Sequence, residues 1–532
     1  MKMGSLTNHF RQNISVWTVN SVLIATLLLG AFLRFHNSYE YLRFGPDEAR
    51  DIKILASMWR DVRDFDISYL PTKGPSAAMF FKSTSNQAYH GAFYYYFMLP
   101  IAVISGFHPY GLALFVIFLN ITAVFLMFLC AKELLGPPIS LVAAFMLSIS
   151  SFAVFYSRWA WNPNLIIFFT LLAIFAFIKL VKGNLGYWPL LAFGIGALSQ
   201  THALGYFINA VVFIPLLVIF RPSMTRGRTL WLTALAFSIP LLPTILHETL
   251  NGFPLAKVIM NYWPKLLIPG DTNSFLTLGN LINSPLLILQ RILNLYNTSD
   301  NQGLPFIVYI FGAVFIYFIW FMTNKIKPPN INTFAMKFNI TIMILTITAV
   351  LSVDLALWKN PDYHHNHIFL FFLPFVIINI AFLIYALSRK FYLMPIALSL
   401  VALFSYYNLS SSLILSSDQI QARYYPTFKD QLDIVNRLNI HTSDLGRYIL
   451  YIPDPIIASP LKWLINRYIP DHTRRIEYGN SYGDSIDTYI INDGRNAYLI
   501  SGKTTEETGD MPFCRERSLL YTNRTLNLYS CP

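Results

Sequence analysis

The chain has 532 residues, 55% of them hydrophobic, 16% aromatic and only 12% charged, with a mean hydropathy of +0.47. A soluble domain carries about 25% charged residues, so this composition excludes a soluble globular protein and indicates an integral membrane protein. The net charge of +12 fits lysines and arginines in cytoplasmic loops that orient the spans, or a basic surface that meets phosphate; no nucleic-acid partner is expected.

A bilayer core takes about 20 apolar residues per helix. Runs of that kind fall at 15–34, 110–131, 138–156, 163–180, 187–202, 203–220, 229–246, 304–323, 338–356, 366–387 and 391–413. The first has no small-residue cleavage site after it and reads as an anchor. Cys130 lies in an apolar run and reads as a small buried residue. The stretch "FYYYFMLPIAVISGF", 93–107, is short and holds a proline, which suits an interfacial or re-entrant helix. If it does not span, and the end with Lys2 and Arg11 is cytoplasmic, four basic loops fall inside: those with Lys179 and Lys182, with Arg221, Arg226 and Arg228, with Lys325 and Lys327, and with Arg389 and Lys390. Counting 93–107 as a span would turn all four outward, against the positive-inside rule. About 11 spans are therefore expected, with the N-terminus inside and the C-terminus outside. The spans at 187–202 and 203–220 require a tight hairpin.

Two domains follow from the hydropathy: a transmembrane unit at 1–413, with large external loops at 35–109 and 247–303, and a small external α/β domain at 414–532. In the first loop, "DEARDIKILASMWRDV" reads as a helix. Its Ile52, Leu55, Ala56 and Trp59 recur at helical spacing, and such a helix is expected flat on the outer membrane surface. Strand-like runs "GRYILYIPD", "DTYIIND" and "NAYLIS" mark the C-terminal domain. An external tail would permit a bridge between Cys514 and Cys531.

Polar residues gather at the external ends of the expected spans. They comprise Asp47 with Glu48, Arg50 and Asp51; Lys73; His90 with Tyr94 to Tyr96; Arg158 with Trp161, Asn162 and Asn164; Gln200 with His202; His247 with Glu248; and the "WKNPDYHHNH" run with His364, His365 and His367. Each has a plain reading: an acidic first helical turn favoured by the helix dipole, snorkelling arginines or an aromatic belt. Their convergence on one side raises the functional reading. The "HHNH" run also suggests zinc, with His364 and His367 on one helix face and Asp47, Glu48 or His247 as a third ligand. Phosphate-binding or interfacial histidines are the preferred reading, and a divalent metal stays a possibility only.

The order of "GPDEARD", Gly74–Pro75, "HGAFYYY", "SRWAWNPN" and "QTH" resembles the polytopic glycosyltransferases of the GT-C fold. The similarity is to the bacterial family-39 enzymes, akin to protein O-mannosyltransferases and lipid A aminoarabinose transferases, over roughly residues 15–250. The resemblance implies a membrane all-α GT-C fold in a bacterial inner membrane. It implies a sugar donor linked to polyprenyl phosphate, used on the external face, and an acceptor that is a glycolipid, a polysaccharide or a protein. The family's first-loop acid falls on Asp47, with Glu48 beside it. Its tyrosine-rich segment falls on Gly91 to Tyr96, with alanine and phenylalanine where relatives have Pro-Leu. Its second-loop arginine and Asn-Pro fall on Arg158 and Asn162–Pro163, and the acid some relatives carry in that loop is here asparagine.

Asp47 is accordingly expected as the general base within about 3 Å of the acceptor oxygen. Arg50, Lys73, His90, Arg158 and His202 are expected to hold the donor phosphate, and Tyr94, Asn162, Gln200, His364 and His365 to line the substrate site. A lipid or oligosaccharide flippase would share the many spans and the cationic outer cavity. Transporters, however, commonly carry internal repeats and midplane ionisable groups, and neither is evident here. A scaffold for an envelope complex is a third class.

Overall fold

The structure is a computed structural model and describes residues 16–66, 79–82, 87–89, 91–202, 204–224, 226–254, 256–257, 260, 333–357, 366–388, 393–414, 426–442, 448–452, 455–468, 476–478, 497–502, 518–522 and 526–531.

The apolar runs fold as helices because a backbone in lipid must satisfy its own hydrogen bonds. Helix α1 (Val16–Phe35) turns Val19, Leu23 and Leu33 inward and leaves Trp17, Ile24 and Leu28 exposed. After it come α2 (Pro46–Arg63), a hairpin of β1 (Met79–Lys82) and β2 (Gln87–Tyr89), and α3 (Phe93–Ile104). At 12 residues α3 is too short to span, as expected. Next are α4 (Pro109–Leu135), α5 (Pro137–Ile149), α6 (Ser151–Tyr156), a 3-10 turn at Asn162–Leu165 running into α7 (Ile166–Val181), and α8 (Trp188–Thr201). Then come α9 (Leu204–Ile208), a π-helical turn at Asn209–Phe213, α10 (Ile214–Phe220), α11 (Arg228–Leu250), α12 (Thr333–Leu357), a 3-10 turn at Asn366–Phe371, α13 (Leu373–Ser388) and α14 (Met394–Ile414). Among the described residues six helices are long and apolar enough to cross a membrane, and four shorter apolar helices accompany them. The chain is a multi-pass membrane protein. The core lies where α4 packs on α5 and α7, and where α8 packs on α7 and α11.

Two expected spans are not continuous. The run 138–156 breaks at Ser150, whose backbone (φ −53, ψ 115) leaves the helix. Both freed ends find partners. Asn408 Oδ1 accepts from the Ser151 N–H at 3.0 Å. The buried Arg34 guanidinium donates to the carbonyls of Ser148 (2.9 Å) and Leu147 (3.3 Å). The run 203–220 is split by the π-helical turn, where Asn209 Nδ2 donates to the Ile195 carbonyl at 2.9 Å. The tight connection before it is closed by Gly205 N–H donating to the His202 carbonyl at 2.8 Å. The expected span at 304–323 and most of the loop 247–303 lie outside the described residues.

Past the bundle the chain forms α15 (Phe428–Thr442), β3 (Tyr448–Tyr451), α16 (Pro455–Tyr468), β4 (Ile476–Tyr478), β5 (Ala497–Gly502), β6 (Ser518–Thr522) and β7 (Leu526–Cys531). The strand order is β4-β3-β5-β7-β6; β3 runs parallel to β4 and β5, and β7 antiparallel to β5 and β6. This is the small mixed α/β unit expected from the fall in hydropathy. Two of its three strand-like runs hold β3 and β5, while "DTYIIND" lies outside the described residues, as does Cys514.

Helix α2 matches the expected helix within a residue, but its apolar side meets protein, not the membrane surface. Ala49, Ile52, Leu55 and Met58 are each at most 2% exposed, covered by α3 and α16. Burying such Leu, Ile and Met side chains stabilises by about 1.5–3 kcal/mol each. A periodicity of 3.6 records that a helix has a covered face, not what covers it.

Candidate active site

The first turn of α2 is built to hold acids. Gly45 is the N-cap and Pro46 the first helical residue, so Asp47 and Glu48 fall where backbone N–H groups lack helical partners. Glu48 turns back and accepts the Gly45 N–H at 2.8 Å, the reciprocal half of a capping box. Its carboxylate is 4% exposed and lies 3.5 Å from the Arg43 Nε. Burial raises the Glu48 pKa, and Arg43 opposes that rise.

One turn further, Asp51 is buried and takes three hydrogen bonds: from Arg50 Nε (3.0 Å), from Arg50 Nη2 (2.9 Å) and from the Tyr95 hydroxyl (2.8 Å). Burial pushes its pKa up to about 7 despite the pull of Arg50. The same guanidinium donates through Nη1 to Asp47 Oδ1 at 2.9 Å. One arginine thus bridges two carboxylates, one sealed in the protein and one at the surface. The Asp47 side chain is 43% exposed, which makes it the acid of the three open to an incoming molecule. Arg43, Glu48, Asp51 and Tyr94 line a cavity of about 10 Å3, room for about one water and not for a sugar.

A second constellation is centred on the segment after α6. Trp161 is extended (φ −146, ψ 146) and Asn162–Leu165 form the 3-10 turn. Asn164 Nδ2 donates to the Trp159 carbonyl (2.8 Å), and Asn120 Nδ2 to the Asn164 carbonyl (3.2 Å). Gln200, fully buried, accepts at Oε1 from the Ala92 N–H (3.1 Å) and the Thr244 hydroxyl (2.7 Å), and its Nε2 donates to the Tyr206 hydroxyl. Gly91 lies flush on Gln200: a Cβ at Gly91 would stand 2.1 Å from the Gln200 Cα. Asn162 Nδ2 meets the Gly91 carbonyl at 3.4 Å. His202 and His367 face each other, Nε2 to Nε2, at 3.2 Å, and the His367 ring meets the Trp161 ring edge-on at 4.6 Å between centroids. Arg43 joins the two constellations, its guanidinium over the rings of Trp159 (5.2 Å) and Trp161 (5.8 Å).

Of the residues expected at the site, Asp47, Glu48, Arg50 and Tyr94 come together at α2, and Asn162, Gln200 and His202 come together in the second group. Arg50 is engaged by carboxylates, which leaves it poorly suited to phosphate. Arg158 is buried and donates to the His36 carbonyl at 2.7 Å, on the α1 side. Lys73, His90, His364 and His365 lie outside the described residues. Among the described residues no group of three or more His, Cys, Asp or Glu converges as a metal site. Sequence reasoning left out Arg43, and it placed Asp51 and Tyr95 among the gathered polar residues without giving either a role. Asp51 carried a signal: it shares the helical stripe of Glu48, Ile52 and Leu55, and an acid on an apolar stripe must find a partner on burial. Arg43 carried none, since the tryptophans it covers are more than a hundred positions away.

Residues 89–247 match the family model described as dolichyl-phosphate-mannose-protein mannosyltransferase, so the resemblance drawn from motif order is borne out over that stretch. No curated protein matches the chain. Among solved structures, the chain is similar to the oligosaccharyltransferase of Archaeoglobus fulgidus in the apo form, at 12% identity and TM-score 0.49, covering 92% of this chain and 70% of that one. It is also similar to ArnT from Cupriavidus metallidurans bound to undecaprenyl phosphate, at 11% identity and TM-score 0.49, covering 97% and 98%. A third similarity is to the protein O-mannosyltransferase Pmt1-Pmt2 complex of S. cerevisiae bound to the sugar donor, at 15% identity and TM-score 0.32, covering 50% and 36%.

Proposed function

We propose that this protein is a membrane glycosyltransferase. It moves a sugar from a polyprenyl-phosphate donor to an acceptor hydroxyl on the external face of a bacterial inner membrane, with the N-terminus cytoplasmic and the C-terminal α/β unit external. The observation that carries the reading is the first turn of α2, where Asp47 stays accessible and is oriented by Arg50 at 2.9 Å, itself anchored on buried Asp51. The family matched at 89–247 is named for a dolichyl-phosphate-linked sugar, and the same donor class is proposed here.

In the proposed step Asp47 takes the acceptor's proton as the acceptor oxygen bonds to the anomeric carbon. The bond from that carbon to the phosphate oxygen breaks, polyprenyl phosphate departs, and the configuration inverts. An accessible carboxylate held in place by an arginine can come within hydrogen-bond reach of an acceptor hydroxyl, which is the position a general base needs. Glu48 supports it by closing the helix cap. Lys73 and His90 supply positive charge toward the leaving phosphate, His202 offers it a ring nitrogen, and Tyr94, Asn162, Gln200, His364 and His365 shape the substrate side; Arg158, which donates to the His36 carbonyl, is left out of that role. Arg50 serves in this scheme to orient the base, not to bind phosphate. The acceptor class is a glycolipid, a polysaccharide or a protein.

The test is release of free polyprenyl phosphate by purified protein in detergent, comparing wild type with Asp47→Asn. That substitution keeps shape and removes basicity, and transfer is expected to fall by about 100-fold or more. Transfer at the wild-type rate would place the base elsewhere. Donor that crosses a bilayer uncleaved, with no release, would make the protein a flippase.

A further inference from the structure

The C-terminal α/β unit grips the chain immediately before the acidic helix. Thr427 forms an isolated antiparallel bridge with Arg43. The Phe428 N–H donates to the Leu42 carbonyl at 2.8 Å, and Gln431 Nε2 donates to the Phe44 carbonyl at 2.7 Å. Thr427, Phe428 and Gln431 are each at most 1% exposed. The carbonyls on both sides of Arg43 are therefore held by one short element more than 380 positions away in sequence.

Side chains grip as well. The Phe428 ring lies between Phe44 (5.5 Å), His108 (5.3 Å) and Tyr39 (6.2 Å), and Phe44 also meets Trp463 of α16 at 5.4 Å. Lys429 pairs with Glu40 at 2.5 Å. Along an extended segment neighbouring side chains point to opposite sides. Leu42 and Phe44 are buried together, which sends Arg43 the other way, to Glu48, Trp159 and Trp161.

We propose that the C-terminal unit is a positioning element for the site: Thr427, Phe428 and Gln431 fix the backbone of residues 42–44, and through it they hold the Arg43 guanidinium between Glu48 and the Trp159–Trp161 pair. Arg43 touches both constellations, so its position sets the register between the acid-bearing turn and the segment that holds Trp159 and Trp161. A module that only selected the acceptor would have no need to hold carbonyls on both sides of this residue. The inference deepens the glycosyltransferase reading and rests on it for its kinetic arm only.

The test uses the full chain in detergent or nanodiscs. Gln431→Met keeps volume and removes the N–H donor to Phe44. Amide exchange in residues 42–48 is expected to speed up by tenfold or more, while 455–468 in α16 keeps its protection. Donor turnover is expected to fall about tenfold with the donor KM within twofold. Arg43→Gln should produce a loss of the same size, and Gln431→Met added to Arg43→Gln should cost nothing further, because two residues acting through one contact are not additive. A conservative second variant, Phe428→Leu, should loosen 42–48 in the same way. Unchanged exchange in 42–48, or losses that simply multiply, would overturn the proposal. A wild-type protein that transfers no sugar while the exchange result holds would overturn the enzymatic reading alone and leave the grip standing.

Discussion

Gly91 is where the tyrosine-rich segment touches the end of α8, and a methyl group there has no room. A Cβ would stand 2.1 Å from the Gln200 Cα, 2.3 Å from its carbonyl oxygen and 2.5 Å from its carbonyl carbon. Carbon atoms rest at about 3.5–4.0 Å, so the two segments must part by more than an ångström. All three obstructing atoms are backbone, so no side chain can swing aside. Overpacking of this kind costs about 1–3 kcal/mol. Separation also breaks the Ala92 N–H bond to Gln200 (3.1 Å) and the Asn162 bond to Gly91 (3.4 Å), each worth about 1 kcal/mol. Gly91→Ala is therefore expected to destabilise by about 3–5 kcal/mol. The assay is thermal unfolding of purified protein in one detergent, with Gly186→Ala as control, since a Cβ at Gly186 meets nothing within 4 Å. The control should unfold with wild type, and Gly91→Ala several degrees lower. Equal midpoints for Gly91→Ala and wild type would refute the close approach of the two segments.

Further outcomes follow from buried groups. Asp51 has a folded pKa of about 7, above the value of about 3.9 in an unfolded chain, so the folded state takes up its proton first. The stability it contributes is full below about pH 4 and is lost as pH rises through about 7. Asp51→Asn should flatten that part of the curve of unfolding midpoint against pH; a curve of unchanged shape would count against a raised pKa. Asn408→Leu leaves the Ser151 N–H and hydroxyl without the acceptor they share at 3.0 and 3.1 Å, which should cost about 1–3 kcal/mol in the same unfolding assay, and a neutral result would mean the helix break is held by other groups. Tyr95→Phe removes one of the three donors on Asp51 and should lower stability by about 1 kcal/mol while leaving Asp47 in place, so transfer by this variant should stay within a few-fold of wild type.

Much of the architecture was legible from the chain alone, because lipid imposes one rule on every span. About 20 apolar residues must close their own hydrogen bonds, and such runs are visible without any partner. The same holds for α2, whose proline, acidic first turn and 3.6-residue periodicity are local signals, and for the fall in hydropathy that marks the α/β unit. The motif order also drew polar groups near the ends of the expected spans into one candidate site.

What tertiary structure decided were contacts between positions far apart in sequence. The break at Ser150 depends on Arg34 and Asn408 receiving the freed backbone groups, and hydropathy across 138–156 is blind to it. Whether α2 lies against lipid or protein depended on α3 and α16. Asp51 becomes a buried anchor only because Tyr95 and Arg50 meet it there, and Arg43 enters the site only because residues 427–431 hold its neighbours. Local sequence sets which backbone a segment prefers, which face is apolar and which near neighbour a charge can reach; long-range packing decides whether that charge is buried and which distant group meets it.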